Sequence, residues 1–158
     1  MSKKTNFPVV PLSEAPPSEV ETKEPARRPV VLVVDDESVI ADTLSAILTK
    51  SGYSAVAAYD SDSAIESALL RPPDVLISDV VLPGMSGVDL AITSKRIFPD
   101  CRIILFSGQA STANLISEAA TAGHHFLLLN KPVHPKDLLA QVAMNLADKR
   151  PAQVAAYA

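Results

Sequence analysis

The sequence contains a single cysteine, Cys101, and no tryptophan among its 158 residues. One cysteine cannot form a disulfide within the chain or complete a cysteine-based zinc site, so both kinds of stabilisation are excluded. A chain of this length buries about two thirds of the surface that it exposes when unfolded, and it can fold around an apolar core without such help. The cysteine content fits a reducing compartment.

Long apolar runs are also missing. No stretch reaches the ~18 apolar residues of a membrane span, and the N-terminal segment lacks the ~7–15-residue apolar core of a signal peptide. Lys and Arg number 14 against 18 Asp and Glu, and no dense basic stripe of the kind found in nucleic-acid-binding proteins is present. We therefore expect a cytoplasmic protein that contacts neither a membrane nor nucleic acid directly.

Proline is concentrated at the start of the chain, where residues 1–29 hold six of the 13 prolines. This segment carries scattered charges and no apolar period, a composition that predicts a disordered leader. Whether the leader is a spacer or a docking peptide stays open. We expect one folded domain over residues 30–149 and a C-terminal tail over residues 150–158, which has too little pattern to assign.

Five short apolar runs alternate with five segments of helical apolar spacing from Val30 onward. The predicted strands are Val30–Val34, Ala55–Ala58, Val75–Ile77, Ile103–Phe106 and Phe126–Leu129. Because each is apolar at consecutive positions, we expect strands covered on both faces. Gly52 and Gly123 follow the first and fourth predicted helices, where a left-handed residue often ends a helix. The alternation predicts an α/β fold with a parallel sheet and helices on both faces.

Ligands of such sheets bind beyond the carboxyl ends of the strands, so we expect the functional residues at those ends. Asp35 and Asp36 follow the first predicted strand, Asp79 the third, Ser107 the fourth and Lys131 the fifth. Taken singly, each has an ordinary structural explanation as a helix cap, a turn residue or a surface charge. Together they should meet at one edge of the sheet.

A cluster of three carboxylates and a lysine suits phosphoryl chemistry. The carboxylates repel one another unless a cation compensates, and Mg²⁺ prefers carboxylate, water and phosphate oxygens as ligands. The ammonium group of Lys131 and the hydroxyl of Ser107 are suited to the oxygens of a transferring phosphoryl group. A carboxylate between a metal ion and a lysine can accept a phosphoryl group, which predicts an acyl phosphate.

Four segments, VLVVDDE, SDVVLPGMSG, LFSG and NKP, occur in an order and at spacings that closely resemble the receiver domain of two-component response regulators. The resemblance covers about Val30 to Leu146 and is nearest to single-domain regulators of the chemotaxis type. It implies a flavodoxin-like, doubly wound (βα)5 fold with a five-stranded parallel sheet in the order 2-1-3-4-5. A receiver is a signalling domain and not a classical enzyme, since it catalyses only its own Mg²⁺-dependent phosphorylation and dephosphorylation.

The resemblance assigns the acidic residues individually. Asp79 matches the phosphoacceptor, Asp36 the direct Mg²⁺ ligand, Asp35 a ligand that acts through water, and Val81 the residue whose backbone carbonyl binds the ion. The D-x-x-L-P-x-x-S-G motif of the family is formed here by Asp79, Leu82, Pro83, Ser86 and Gly87.

The same resemblance makes Ser107 the switch hydroxyl and Lys131 the phosphate-pairing lysine, followed by a cis peptide bond to Pro132. The aromatic switch position departs from the family, because the segment between Gly123 and Lys131 is one residue longer than usual. Counting back three residues from Lys131 reaches Leu128, whereas the nearby aromatic residue is Phe126. Either a strand bulge absorbs the extra residue and Phe126 is the switch, which we favour, or the aromatic switch is lost.

Two further positions set an expectation for the lifetime of the acyl phosphate. Val81 lies two residues after Asp79, and Gln109 two residues after Ser107. In the family these positions tune the attack of water, and the apolar Val81 offers that water no hydrogen-bond partner. The expectation is slow self-dephosphorylation.

The resemblance also implies the partners. A histidine kinase or a histidine phosphotransfer protein would phosphorylate Asp79, and the face of helix four, strand five and helix five would then contact a downstream protein. No effector-domain pattern follows helix five, and dimerisation on phosphorylation stays open. A degenerate receiver that binds partners independently of phosphate is one alternative. An aspartyl-phosphate hydrolase is another, disfavoured because Val81 occupies the place of its second acid.

Overall fold

The computed structural model describes residues 26–108 and 112–148. The predicted tail over residues 150–158, Gln109 and most of the predicted leader lie outside the described residues. The last four leader residues are described, and the Arg27 guanidinium donates a hydrogen bond of 2.9 Å to the Asp74 carboxylate. The same carboxylate accepts a hydrogen bond of 2.7 Å from the backbone N–H of Val30. These contacts fasten the start of the first strand.

Strands and helices alternate through the described residues as the sequence predicts. The elements are β1 Val30–Val34, α1 Ser38–Lys50, β2 Ser54–Ala58, α2 Ser61–Leu70, β3 Val75–Asp79, α3 Gly87–Ile97, β4 Arg102–Ser107, α4 Ala113–Thr121, β5 Leu127–Asn130 and α5 Pro135–Ala147. The described strands form one parallel sheet in the order β2-β1-β3-β4-β5. This order confirms the predicted flavodoxin-like fold.

Alternate residues of each strand enter two apolar layers, one on each face of the sheet. In β1, Val31 and Val33 pack with α1 and α5, while Leu32 and Val34 pack with α2, α3 and α4. The central strands β1 and β3 are buried along their whole length. The edge strands β2 and β5 are only half-buried, so the expected cover on both faces is present there but less complete. An edge strand has a neighbour on one side only, and helices cover it less completely.

The helix ends follow local rules that can be read in the sequence. Asp60 caps α2 by accepting a hydrogen bond of 2.7 Å from the N–H of Ser63, and the Ser86 hydroxyl caps α3 by accepting from the N–H of Asp89 at 3.1 Å. Gly52 and Gly123 have φ values of 98° and 93° after α1 and α4, as predicted. No described helix is long and apolar enough to span a membrane.

Candidate functional site

The residues singled out at the strand ends meet at the carboxyl edge of the sheet. Asp35 and Asp36 directly follow β1, Lys131 follows β5, and Asp79 and Ser107 are the last residues of β3 and β4. The parallel register aligns these ends, because Asp79 lies opposite Phe106 and Ser107 lies opposite Asn130. Alignment of this kind brings groups together that are up to 96 residues apart in sequence.

Three carboxylates form the centre of the site. Oxygen atoms of Asp35, Asp36 and Asp79 lie within 4.8 Å of one another. Asp35 is 2% exposed and Asp79 9% exposed, whereas Asp36 is exposed. Two of the three charges are therefore largely removed from water, which makes their mutual repulsion costly unless a cation lies among them.

Lys131 supplies one such charge. Its Nζ donates hydrogen bonds of 2.9 Å to Oδ2 of Asp35 and 2.8 Å to Oδ2 of Asp79. Burial by itself would lower the pKa of Lys131, but the hydrogen bonds that it donates to Asp79 and Asp35, together with their charges, outweigh burial and raise the pKa. The lysine is therefore held in its charged form between the two buried carboxylates.

Backbone N–H groups hold the other oxygens of the two buried carboxylates. Oδ1 of Asp35 accepts from the N–H of Glu37 at 2.9 Å, and Oδ1 of Asp79 accepts from the N–H of Val81 at 3.1 Å. The carboxylate of Asp36 has no hydrogen-bond partner within residues 26–108 and 112–148. Three carboxylates facing one lysine leave negative charge, and hard oxygen donors are the ligands that Mg²⁺ prefers. The donor set fits that ion.

A glycine fixes the backbone of Asp79. A Cβ atom placed on Gly87, the first residue of α3, would lie 1.8 Å from the carbonyl oxygen of Asp79 and 2.8 Å from its carbonyl carbon. The N–H of Gly87 also donates a hydrogen bond of 2.8 Å to the carbonyl of Val80. Helix α3 therefore starts directly against Asp79, a role for Gly87 that motif matching alone did not provide.

A second contact missed in the sequence restrains the loop between β3 and α3. The hydroxyl of Ser61, at the start of α2, donates a hydrogen bond of 2.8 Å to the carbonyl of Met85. This loop contains Val81, the residue expected to contribute a carbonyl to the metal site. No local pattern in the sequence relates Ser61 to Met85, because the two residues are 24 positions apart.

Comparison with known proteins agrees with this geometry. Residues 31–143 match the family model of the response regulator receiver domain. The chain belongs to this family. Receiver domains are signalling modules that bind Mg²⁺ at an acidic pocket and interact with histidine kinases or phosphotransfer proteins.

Solved receiver structures share the fold over most of their length. A CheY-like response regulator receiver domain protein from Methanospirillum hungatei is 28% identical with a TM-score of 0.69, and the match covers 76% of this chain and 94% of that one. A receiver domain protein from Clostridium thermocellum is 28% identical with a TM-score of 0.66, covering 75% and 94%. The chemotaxis protein CheY4 of Vibrio cholerae is 28% identical with a TM-score of 0.66, covering 75% and 98%.

The strand bulge that we favoured before Lys131 is absent from this receiver domain. Strand β5 pairs with β4 one residue to one from Leu127 to Asn130, without a bulge. Phe126 precedes the strand and stacks on the ring of His124, with centroids 6.1 Å apart. Leu128, and not Phe126, lies two residues before Asn130, the strand partner of Ser107. A switch role for Phe126 stays a prediction, and it would have to act from outside the strand.

The segment around Lys131 agrees with the family in its backbone. The peptide bond between Lys131 and Pro132 is cis, as expected. The N–H of Lys131 donates a hydrogen bond of 2.9 Å to the carbonyl of Ser107, so these two residues are joined through their backbones. The Ser107 hydroxyl is hydrogen-bonded to the hydroxyl of Thr112.

Proposed function

We propose that this receiver domain is a phosphorylation-activated switch that accepts a phosphoryl group on Asp79. The observation that carries the proposal is the pairing of the Asp79 carboxylate with Nζ of Lys131 at 2.8 Å, beside the carboxylates of Asp35 and Asp36. A structural ion pair alone would not require the two further acids at the same point.

The proposed donor is a phosphohistidine of a histidine kinase or of a histidine phosphotransfer protein. A carboxylate oxygen of Asp79 attacks phosphorus, an O–P bond forms, the P–N bond to the imidazole breaks, and the imidazole nitrogen takes up a proton. The product on this chain is an acyl phosphate. Lys131 then pairs with the phosphoryl oxygens, while the N–H of Val81 continues to orient the carboxylate.

Asp36, Asp79 and the carbonyl of Val81 would hold Mg²⁺, with Asp35 acting through water. When bound, the ion neutralises charge on the phosphoryl oxygens. The chain contributes an exposed carboxylate at Asp36 and two buried ones that Lys131 and backbone N–H groups already orient. The residues need little rearrangement before transfer.

An apolar groove beside the site supports docking of the donor protein. It has a volume of about 430 Å³ and runs between α1 and the segment that follows β5, with Ile40, Leu44 and Val133 in its lining together with Lys131. A groove of this composition can bury apolar side chains of the donor and bring its phosphohistidine towards Asp79.

The proposed output surface is the face of α4, β5 and α5. Leu127 of β5 and Met144 of α5 expose apolar side chains. Phosphorylation adds charge and acceptor oxygens next to Ser107, at the end of the strand that precedes α4. A downstream protein would read the resulting change by direct contact, and the same face could join two phosphorylated copies.

The alternatives are a degenerate receiver, which binds partners without phosphate, and an aspartyl-phosphate hydrolase. The side chain of Val81 is 44% exposed beside Asp79 and carries no acid, which counts against the hydrolase. The intact set of Asp35, Asp36 and Lys131 counts against the degenerate receiver.

Intact-mass measurement tests the proposal. The protein is incubated with Mg²⁺ and acetyl phosphate, alongside Asp79→Asn and the matched control Asp137→Asn, which changes an acid in the first turn of α5. We expect one phosphoryl group on the wild type and on the control, and none on Asp79→Asn. Continuous turnover of acetyl phosphate without a stable adduct would favour the hydrolase, and no reaction at all would favour the degenerate receiver.

A further inference from the structure

The hydroxyl of Thr112 has an unusual partner for a residue at the start of a helix. Thr112 directly precedes α4, the position at which a threonine side chain commonly accepts a hydrogen bond from the first turn. Its side chain makes no such cap. It is hydrogen-bonded instead to the hydroxyl of Ser107, the last residue of β4.

This hydroxyl pair is buried. Ser107 is 6% exposed and Thr112 is 3% exposed, so water does not easily replace either partner. The pair links the end of β4 to the start of α4 over five residues of chain. Breaking it removes one hydrogen bond from each hydroxyl in a largely dry environment, where such a loss is costly.

The hydroxyl of Ser107 is turned towards α4 and not towards the acceptor carboxylate. Within the described residues, the Asp79 carboxylate accepts hydrogen bonds from the N–H of Val81 and from Lys131, and Ser107 is not among its partners. A serine hydroxyl carries one proton, and the oxygen occupies one of three staggered positions. Turning that oxygen to a phosphoryl group on Asp79 moves it away from Thr112, so the two contacts compete whichever of the two hydroxyls donates the present hydrogen bond.

We propose that Thr112 is a positioning residue that holds the Ser107 hydroxyl away from the phosphoryl group, and that it stabilises the unphosphorylated state. The inference rests on the proposed function, because it needs a phosphoryl group on Asp79 for Ser107 to turn to. The two contacts are alternatives. Phosphorylation draws the hydroxyl from Thr112 and thereby loosens the link between β4 and the first turn of α4.

Thermodynamic linkage then predicts whether a substitution of Thr112 raises or lowers the affinity for a phosphoryl group. A group that stabilises only the unphosphorylated state lowers the affinity of the protein for a phosphoryl group, and removing that group raises it. A residue with a merely structural role would act in the opposite direction, because its loss would disorder the site and weaken binding. The direction of the change therefore separates the two roles.

Calorimetric titration with beryllium fluoride in saturating Mg²⁺ measures this affinity, because beryllium fluoride is a noncovalent analogue of the phosphoryl group. We expect Thr112→Val, which keeps the side-chain shape but removes the hydroxyl, to bind about fivefold more tightly, the factor that one net hydrogen bond implies. Thr112→Ala serves as a second variant should valine disturb packing, with the same expected direction. Thr112→Ser should bind like the wild type.

Two controls locate the effect. Thr121→Val removes a hydroxyl at the other end of α4, where it bonds the carbonyl of Ser117, and should leave affinity unchanged. In a Ser107→Ala background, Thr112→Val should have no effect, because the hydroxyl that it releases is gone.

Unchanged or weaker binding by folded Thr112→Val and Thr112→Ala would overturn the inference while the wild type still binds the analogue. An equal gain in the Ser107→Ala background would also overturn it, since the effect would not pass through Ser107. If the wild type binds no more analogue than Asp79→Asn, the proposed function fails, and the inference fails with it.

Discussion

Replacing Gly87 by alanine tests how closely the start of α3 packs against Asp79. The added Cβ would lie 1.8 Å from the carbonyl oxygen of Asp79, whereas ordinary van der Waals contact begins at 3.4 Å. The Cβ is fixed rigidly to the backbone and its partner is a backbone carbonyl, so no side-chain rotation can relieve the clash. Either α3 or the end of β3 must move.

Overpacking typically costs about 1–3 kcal/mol of unfolding free energy, and a clash between two backbones belongs at the upper end or beyond. We therefore expect Gly87→Ala to lose about 3 kcal/mol, which lowers the melting temperature by roughly 10 °C in a domain of this size. The displacement also moves the Asp79 carboxylate. A shift of about 1 Å in a reacting group can slow a reaction about 100-fold.

The matched control is Gly108→Ala. A Cβ on Gly108, which also adjoins the site, would lie 3.6 Å from Cβ and Cδ of Lys131, an ordinary contact. Urea denaturation gives the stability of each variant, and intact mass after reaction with acetyl phosphate gives the rate. A Gly87→Ala protein as stable and as reactive as Gly108→Ala would refute the close approach of α3 to Asp79.

Three further predictions concern Lys131, Ser45 and Val81. Lys131→Met leaves two buried carboxylates without their lysine and should cost about 2 kcal/mol in urea denaturation, reduced from the value for a fully buried pair by partial exposure. Because the pKa of Lys131 is raised above 10.5, this contribution is fully present below pH 10.5 and fades as the pH rises through the folded-state value, so a cost that persisted at higher pH would contradict the ion pair. The buried Ser45 hydroxyl has no hydrogen-bond partner among the described residues, so Ser45→Ala should raise the unfolding free energy by about 1 kcal/mol, and a loss would show that an unseen partner exists. The phosphorylated protein should decay over many minutes or longer, as followed by intact mass, because Val81 gives an attacking water no hydrogen-bond partner; decay within seconds would refute this explanation.

The alternation of strands and helices was readable in the sequence because a parallel sheet is specified by local patterns. Apolar runs of four or five residues, such as Val30–Val34, can be buried on both faces only with helices between them. Asp79 and Ser107 were expected just after their strands and are the last residues within them. The difference is one residue, so the predicted convergence of acids and lysine holds.

Individual contacts between one element and another were not predictable in the same way. The closeness of Gly87 to Asp79, the bond from Ser61 to Met85 and the pair formed by Ser107 and Thr112 depend on how helices sit on the sheet. No residue periodicity encodes such distances. The bulge favoured before Lys131 is absent for a related reason, since the number of residues between Gly123 and Lys131 does not say whether the loop or the strand accommodates the extra residue.

A crystal structure of the protein with Mg²⁺ and beryllium fluoride tests the central claim most directly. We predict beryllium bonded to a carboxylate oxygen of Asp79, with Nζ of Lys131 and the Ser107 hydroxyl on its fluorides and the magnesium ion against Asp36. Beryllium fluoride on another carboxylate, or a magnesium ion bound away from these acids, would contradict the account.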